Sequence, residues 1–220
     1  MKKCFVTLLT LLAVTGAMAQ EEEAPLERSS KSFMNIYLGG SRSQMKPKHE
    51  VTGSSYEFDY VTTGGIAAFE YALKGVRFMT EFGYQKADSD WDVDYTKGNN
   101  SFKYDETQFD TPSVISGMFY VGTTPFGTGS WFQLPIYVGF GADYVTGQPN
   151  KKANAAFAVK IRANMYFSDN VGVFIGGHYK YGIAARDYDM GGTIGNVNLD
   201  YKSNTLGLEA GLAILIGRKK

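Results

Sequence analysis

From about Ser32 to the C-terminus the chain repeats one unit: nine or more residues in which apolar side chains alternate with small or polar ones, closed by a turn. A period of two belongs to strands with unlike faces. The runs fall at Ser32 to Ser41, Thr62 to Lys74, Val76 to Ala87, Thr111 to Gly122, Trp131 to Thr146, Ala153 to Phe167, Val171 to Arg186 and Ser203 to Gly217. They are as long as, or longer than, the roughly 9 to 11 residues that a tilted strand needs to cross a bilayer. Strands of ordinary globular sheets are shorter, about 5 to 6 residues. The pattern predicts an all-β fold, an eight-stranded antiparallel up-and-down transmembrane β-barrel.

The connectors alternate in length. Leu73-Lys74-Gly75 and Ser168-Asp169-Asn170 are tight-turn sequences, and Thr123 to Ser130 is compact. Arg42 to Val61, Asp88 to Asp110 and Asp187 to Lys202 are long, and Gly147 to Lys152 is the exception on that side. An even strand number then puts both termini on the short-turn, periplasmic side and the long loops outside the cell.

Two closed barrels could carry such strands, a soluble lipocalin-like one with the apolar face inward or a membrane one with it outward. Volume separates them, because eight strands enclose a space only just wide enough for side chains. Phe78, Phe82 and Tyr84 on one strand, Phe157 and Ile161 on another, and Leu206, Leu208 and Leu212 on the last would overfill it. The opposite face is mostly Gly and Ala interrupted by charge, and is read as the lumen. Strand 111–122 is the one whose faces the pattern leaves open. Inward parity gathers Glu70, Glu81 and Glu209 with Arg77, Lys160, Arg162, His178 and Lys180, and Asp143 lies near the outer rim. Buried charges need partners, so these residues are expected to form an ion-pair network that plugs the barrel. Trp131, Phe132, Tyr144, Tyr166 and Phe167, near strand ends, are expected to form the interfacial aromatic girdles.

The first residues read as an export signal. Lys2 and Lys3 precede an apolar run from Phe5 to Val14, and Ala17-Met18-Ala19 supplies the small-residue site for cleavage between Ala19 and Gln20. Residues 20–31 are acidic then polar without a period, a flexible periplasmic tail; 32–220 is the barrel domain. The single cysteine, Cys4, lies within the signal, so the mature chain has no disulfide or thiolate metal site. Cleavage removes two basic residues and leaves 20 against 22 acidic ones, no surplus to attract nucleic acid. A mean hydropathy of −0.21 fits alternating strands, which dilute hydropathy.

These strands resemble the small eight-stranded outer-membrane barrels of the OmpA/OmpX type over Ser32 to Gly217. The end of the chain carries a further likeness: Glu209, Gly211, then Ile214 and Ile216 in alternation are similar to the C-terminal signal read by the barrel insertion machinery, with Ile216 where an aromatic usually stands. No wall-binding domain is expected after the barrel. The resemblance implies insertion into the outer membrane among its lipids.

Chemistry is sparse. Some barrels of this size resemble lipid A enzymes that pair histidine with serine. His178, in Gly-Gly-His178-Tyr-Lys-Tyr-Gly, has no serine next to it in sequence and is read as a lumenal hydrogen-bonding group; His49 is read as a solvated loop residue. Asp88, Asp90, Asp92 and Asp94 alternate, which could gather carboxylates for calcium, yet the glycine and closing glutamate of a calcium loop are missing. Trp91, Tyr95, Phe102, Tyr104 and Phe109 either bind a protein or glycan partner or pack on one another. No cofactor, metal or catalytic set is assigned. The expected role is non-enzymatic, structural or surface-interacting, with a lipid-modifying enzyme or a small-solute porin as alternatives.

Overall fold

The computed structural model describes residues 32–51, 54–73, 75–88, 92–104, 110–125, 131–146, 153–189 and 196–216. The expected signal, with Ala19 and Gln20, lies outside them, as does the 20–31 tail.

Among the described residues eleven strands form one sheet: β1 (Phe33–Val51), β2 (Ser54–Leu73), β3 (Val76–Ala87), β4 (Asp92–Lys97), β5 (Asn100–Tyr104), β6 (Ser113–Thr123), β7 (Phe132–Gln133), β8 (Ile136–Thr146), β9 (Ala153–Tyr166), β10 (Val171–Asp189) and β11 (Asn196–Ile216). Eight of them close the barrel in the order β1-β2-β3-β6-β8-β9-β10-β11, every neighbour antiparallel, and β11 returns to β1 with Met34 opposite Ile216. Closure leaves no unpaired edge in lipid, the condition for crossing with strands. Among the described residues no helix is long and apolar enough to cross a membrane.

Bulky apolar side chains point outward, as the volume argument requires. Phe69, Phe82, Phe140, Phe157, Ile175, Leu206 and Leu208 are exposed, while Ala68, Ala156, Ala158 and Ala213 are buried. Register settles β6: Val114, Met118 and Tyr120 are buried, and Ile115, Phe119 and Val121 are exposed. On β11 the outward apolar positions run from Leu206 to Ile216. Ten steps of about 3.3 Å at a tilt near 40° give a band about 25 Å tall, the height expected of a membrane barrel.

β1, β2 and β11 continue well past the outer edge of this band, where loops were expected. Arg42 to Val61 is largely strand, with β1 and β2 paired as far as Val51 and Ser54. The alternation persists there with its polarity reversed. Lys46, Lys48 and Asp59 now face out, and Met45, Phe58 and Tyr60 are buried against Val93, Val114 and Val145. A hairpin of β4 and β5, turned at Gly98 (φ +59°), adds to the outer half of β2. The extension therefore packs like a water-soluble sheet, while the band beneath it packs like a membrane barrel.

Three further expectations are corrected. Trp131 to Thr146 is not one strand, since Leu134 and Pro135 separate β7 from β8, and Pro135, which has no N–H, ladders only through its carbonyl to Arg162 N (3.1 Å). His49 is fully buried on β1, its ring 5.6 Å from that of Phe58 and 5.1 Å from that of Tyr201. Tyr166 turns into the lumen instead of joining a girdle, and its hydroxyl donates to Asn35 Oδ1 (3.0 Å). Of the expected girdle, Trp131 and Phe167 are exposed at the short-turn end, and Tyr144 is exposed at the other.

Candidate functional site

The described lumen holds four acids, Glu70, Glu81, Asp143 and Glu209, and four bases, Arg77, Lys160, Arg162 and Lys180, all buried. Parity places them: each sits on the small-residue face of its strand, so closing the barrel points all eight at the axis. They sort into three levels.

Nearest the short-turn end of the barrel, Arg77 Nη1 donates to Glu70 Oε1 (2.6 Å) and Nη2 to Gln133 Oε1 (2.7 Å). Glu70 is saturated further by Asn35 Nδ2 (2.7 Å), the Tyr37 hydroxyl (3.3 Å) and the Tyr137 hydroxyl. The Arg77 guanidinium stacks over the Phe33 ring at 5.2 Å, closing that end.

The middle level is a four-membered charge cluster. Arg162 donates through Nε and Nη2 to Glu209 Oε1 (2.9 and 2.6 Å) and through Nη2 to Glu81 Oε2 (3.1 Å). Lys160 bridges the same two carboxylates, Glu81 and Glu209, the latter at 2.8 Å. The Arg162 guanidinium lies 4.3 Å from the Tyr37 ring and 4.6 Å from that of Phe174, and Lys160 Nζ is 5.0 Å from the Tyr120 ring. The rings thus supply cation–π contact around the ion pairs.

Toward the outside, Lys180 Nζ donates to Asp143 Oδ1 (2.8 Å). Gln85 ties Ser41 (2.7 Å) and Thr62 (2.8 Å) across β3, β1 and β2. His178 Nε2 lies 3.5 Å from Ser43 Oγ, a serine 135 positions away in sequence, and its Nδ1 is 4.0 Å from Glu209 Oε2. The structure thus brings together a Ser/His/Glu set that no local sequence could show. Its contacts are long, and Ser43 is buried.

All eight lumenal residues named from sequence therefore meet in one stack, His178 at its edge. Sequence reading missed Asn35, Tyr37, Tyr120, Gln133 and Tyr137. Asn35 and Tyr37 were legible by parity, since they alternate with outward Met34, Ile36 and Leu38. Tyr120 and Tyr137 run against the small-inside rule; each ring lies on an inward glycine of the neighbouring strand, Tyr137 on Gly122 and Tyr120 on Gly139, where a Cβ would come within 2.4 Å and 2.3 Å of the ring.

The insertion-signal residues lie on β11. Gly211 faces the backbone of β1, where a Cβ would meet Leu38 O at 2.2 Å, and Ile216 is exposed at the short-turn edge. Of the aspartate run, Asp88 pairs with Arg42 (3.4 Å) and Asp94 with Lys103 (3.9 Å); Asp90, and the side chain of Asp92, lie outside what is described. Tyr95 packs between Tyr56 of β2 (4.7 Å) and Phe102 (6.2 Å), while Trp91, Phe109 and the side chain of Tyr104 lie outside what is described.

This geometry defines a transmembrane β-barrel of eight strands with a polar, ion-paired interior. No protein-family model matches the chain, and no curated protein matches it. Among solved structures, the outer membrane protein OprG from Pseudomonas aeruginosa is similar with a TM-score of 0.61 at 12% identity, over 86% of this chain and 97% of that one. Neisserial surface protein A (NspA) and Ail, the attachment invasion locus protein of Yersinia pestis, cover 78% and 83% of this chain and 95% and 99% of theirs, at 13% and 14% identity and TM-scores of 0.44 and 0.43. The likeness to OprG is one of fold, that of the small outer-membrane barrels.

Proposed function

We propose that this chain is a non-enzymatic integral protein of the bacterial outer membrane whose lumen is plugged, and that it acts at the cell surface through the strands and loops that rise above the bilayer. One observation carries this reading. The buried charges balance four against four and are paired at three levels along the axis, so rings and ion pairs fill the cross-section that a solute would need. A porin needs a continuous water path, and unpaired charge usually lines it. The Ser43–His178–Glu209 set supports the same reading, because its serine is shut inside the barrel and a lipid headgroup has no approach to it. Outside, the extension turns a charged face to water and offers envelope components or a host surface an adhesive or bracing contact.

Purified protein in planar bilayers is expected to conduct little or nothing. A large steady conductance from the unmodified protein would overturn the plugged reading in favour of a porin. Unchanged lipid A structure in cells with and without the protein is expected of a barrel that is not a lipid-modifying enzyme; a changed acylation pattern would reverse that part.

A further inference from the structure

The outer wall carries a feature that the plugged barrel does not use. Arg42 on β1 and Lys86 on β3 both stand opposite Thr63 on β2, in one row across three strands. All three are exposed on the outward face. With strands about 4.8 Å apart, the two cations rise roughly 10 Å from each other. The charge ends there, since the row continues as Ser113 and Thr146 on one side and as Leu208 on the other. Asp88 holds the Arg42 guanidinium at 3.4 Å from beyond the end of β3, so the arginine reaches across β2 toward Lys86. Lys86 has no ion pair among the described residues. Two cations and one carboxylate leave the row positive.

The row lies where the apolar band stops, and a groove descends from it. Below Thr63 the outward positions of β2 are Gly65 and Ala67. Gly65 stands between Gly40 and Tyr84, and Ala67 between Leu38 and Phe82. Tyr84 (54% exposed), Phe82 (64%) and Leu38 (50%) form its walls, and Phe69 closes its lower end. From Thr63 to Phe69 is about 20 Å along the strand, or about 15 Å of depth at a tilt near 40°, which is one leaflet of a hydrocarbon core about 30 Å thick. Lysines scattered along an interface serve as general anchors; here the two cations stand at the mouth of a groove, on its two sides.

We infer that Arg42 and Lys86 clamp the phosphorylated headgroup of an outer-leaflet glycolipid whose acyl chain lies along β2 between Leu38 and the Phe82–Tyr84 pair. Arginine suits this role because its planar fork donates twice to a phosphate, and lysine adds a point charge. The inference rests on the outer-membrane orientation proposed above.

The test measures lipid retention by native mass spectrometry of the full-length protein in detergent. The probes are a bis-phosphorylated, acylated glucosamine disaccharide and the same lipid without phosphates. The unmodified protein is expected to retain the phosphorylated probe at least tenfold better. The double variant Arg42→Gln, Lys86→Gln is expected to lose that preference while keeping the heat-shifted gel mobility of a folded barrel. Gly65→Leu fills the groove without touching a charge, since a Cβ there meets nothing closer than 3.8 Å, and is expected to lower retention several-fold. Equal retention of the two probes, or undiminished retention by the double variant, overturns the clamp. Displacement of the lipid by equimolar inorganic pyrophosphate would assign the site to free phosphate and overturn the lipid assignment. Conductance and cell fractionation report separately on the plugged outer-membrane reading, so the two can fail independently.

Discussion

Arg162 shows how much of the lumen can hang on a single residue. Its guanidinium meets Glu209, Glu81, the sulfur of Met79 (3.3 Å) and two aromatic faces at once, so it neutralises, orients and packs in one place. Arg162→Ala would leave Lys160 alone between two carboxylates and the lumen one charge short. Stranding a buried charge in this way costs about 3 to 5 kcal/mol. Urea unfolding in lipid vesicles should therefore show Arg162→Ala destabilised by about that amount, with Arg162→Lys losing less because it restores the charge without the fork. A loss under about 1 kcal/mol for Arg162→Ala would mean that water already screens the cluster. The residues of this stack could be named from parity alone, because charge on a small-residue face has nowhere to point but inward. Their pairing could not: Arg162 and Glu81 are 81 positions apart, and which acid meets which base depends on register around the whole barrel.

At the scale of the element, β3 matched its sequence reading at both ends, whereas β1, β2 and β11 were read too short, ending at Ser41, Thr62 and Ser203. The cause is physical. Those expectations followed apolar-out alternation, and beyond the bilayer the same strands go on with the apolar side inward, Met45, Phe58 and Tyr60 among it. Pro47 inside β1 also reads as a strand end, since it has no N–H to donate to a ladder. The change of polarity is itself a marker of where lipid stops. Ile161 and Ile175 lie outward near the middle of the apolar runs of β9 and β10, so an Arg at either should cost about 2 to 4 kcal/mol of folding free energy in lipid, and one at Phe78, closer to the periplasmic turn, should cost less. Equal, negligible effects at all three would mean that this face does not meet lipid. Above the bilayer, ion pairs on the outward face add to the buried cluster. The hydrogen bond and charge of Lys48, with Lys202 opposite, hold the Glu50 carboxyl below its ordinary value of 4.5. Burial pushes Asp59 up, but hydrogen bonds from Lys46 and Gln44 and the charge of Lys46 outweigh it, and its pKa falls below 3.8. Carboxylates with depressed pKa values contribute stability that is fully present above the unfolded values and is lost as pH falls through the folded ones. Amide protection in the outer ends of β1 and β2, corrected for intrinsic exchange, should thus hold from neutral pH down to about 4.5 and decline below it, while β3 at bilayer level stays protected. Unchanged protection in those outer ends down to about pH 2 would remove these pairs from the account.

For the whole molecule, barrel closure and the extension above the apolar band are separable. Closure rests on the ladders from β1 to β11 and on the lumenal stack, all at bilayer level. The extension rests on the buried cluster around Met45, Phe58 and Val93, and the β4–β5 hairpin joins the rest by its ladder to the outer half of β2 and by Val93 in that cluster. Beneath that hairpin, β3 and β6 already meet: Lys86 stands opposite Ser113, and Ala87 N donates to Pro112 O (2.8 Å). The two strands can therefore be joined there by a tight turn of the Asn-Gly kind. A chain with 88–111 replaced in this way should still insert into lipid and run as a folded band that shifts on boiling. Removing Val93 uncovers part of the upper cluster, at a cost of about 1.5 to 3 kcal/mol for one buried side chain. That loss should fall on residues 54–59 of β2, which lose their ladder to β4 and keep only β1 beside them, and appear as faster amide exchange there while residues 62–73, paired with β3 as well as β1, remain protected. Failure of the shortened chain to insert would instead make the hairpin part of the folding unit, and the extension could no longer be treated as a surface device carried by an independent barrel.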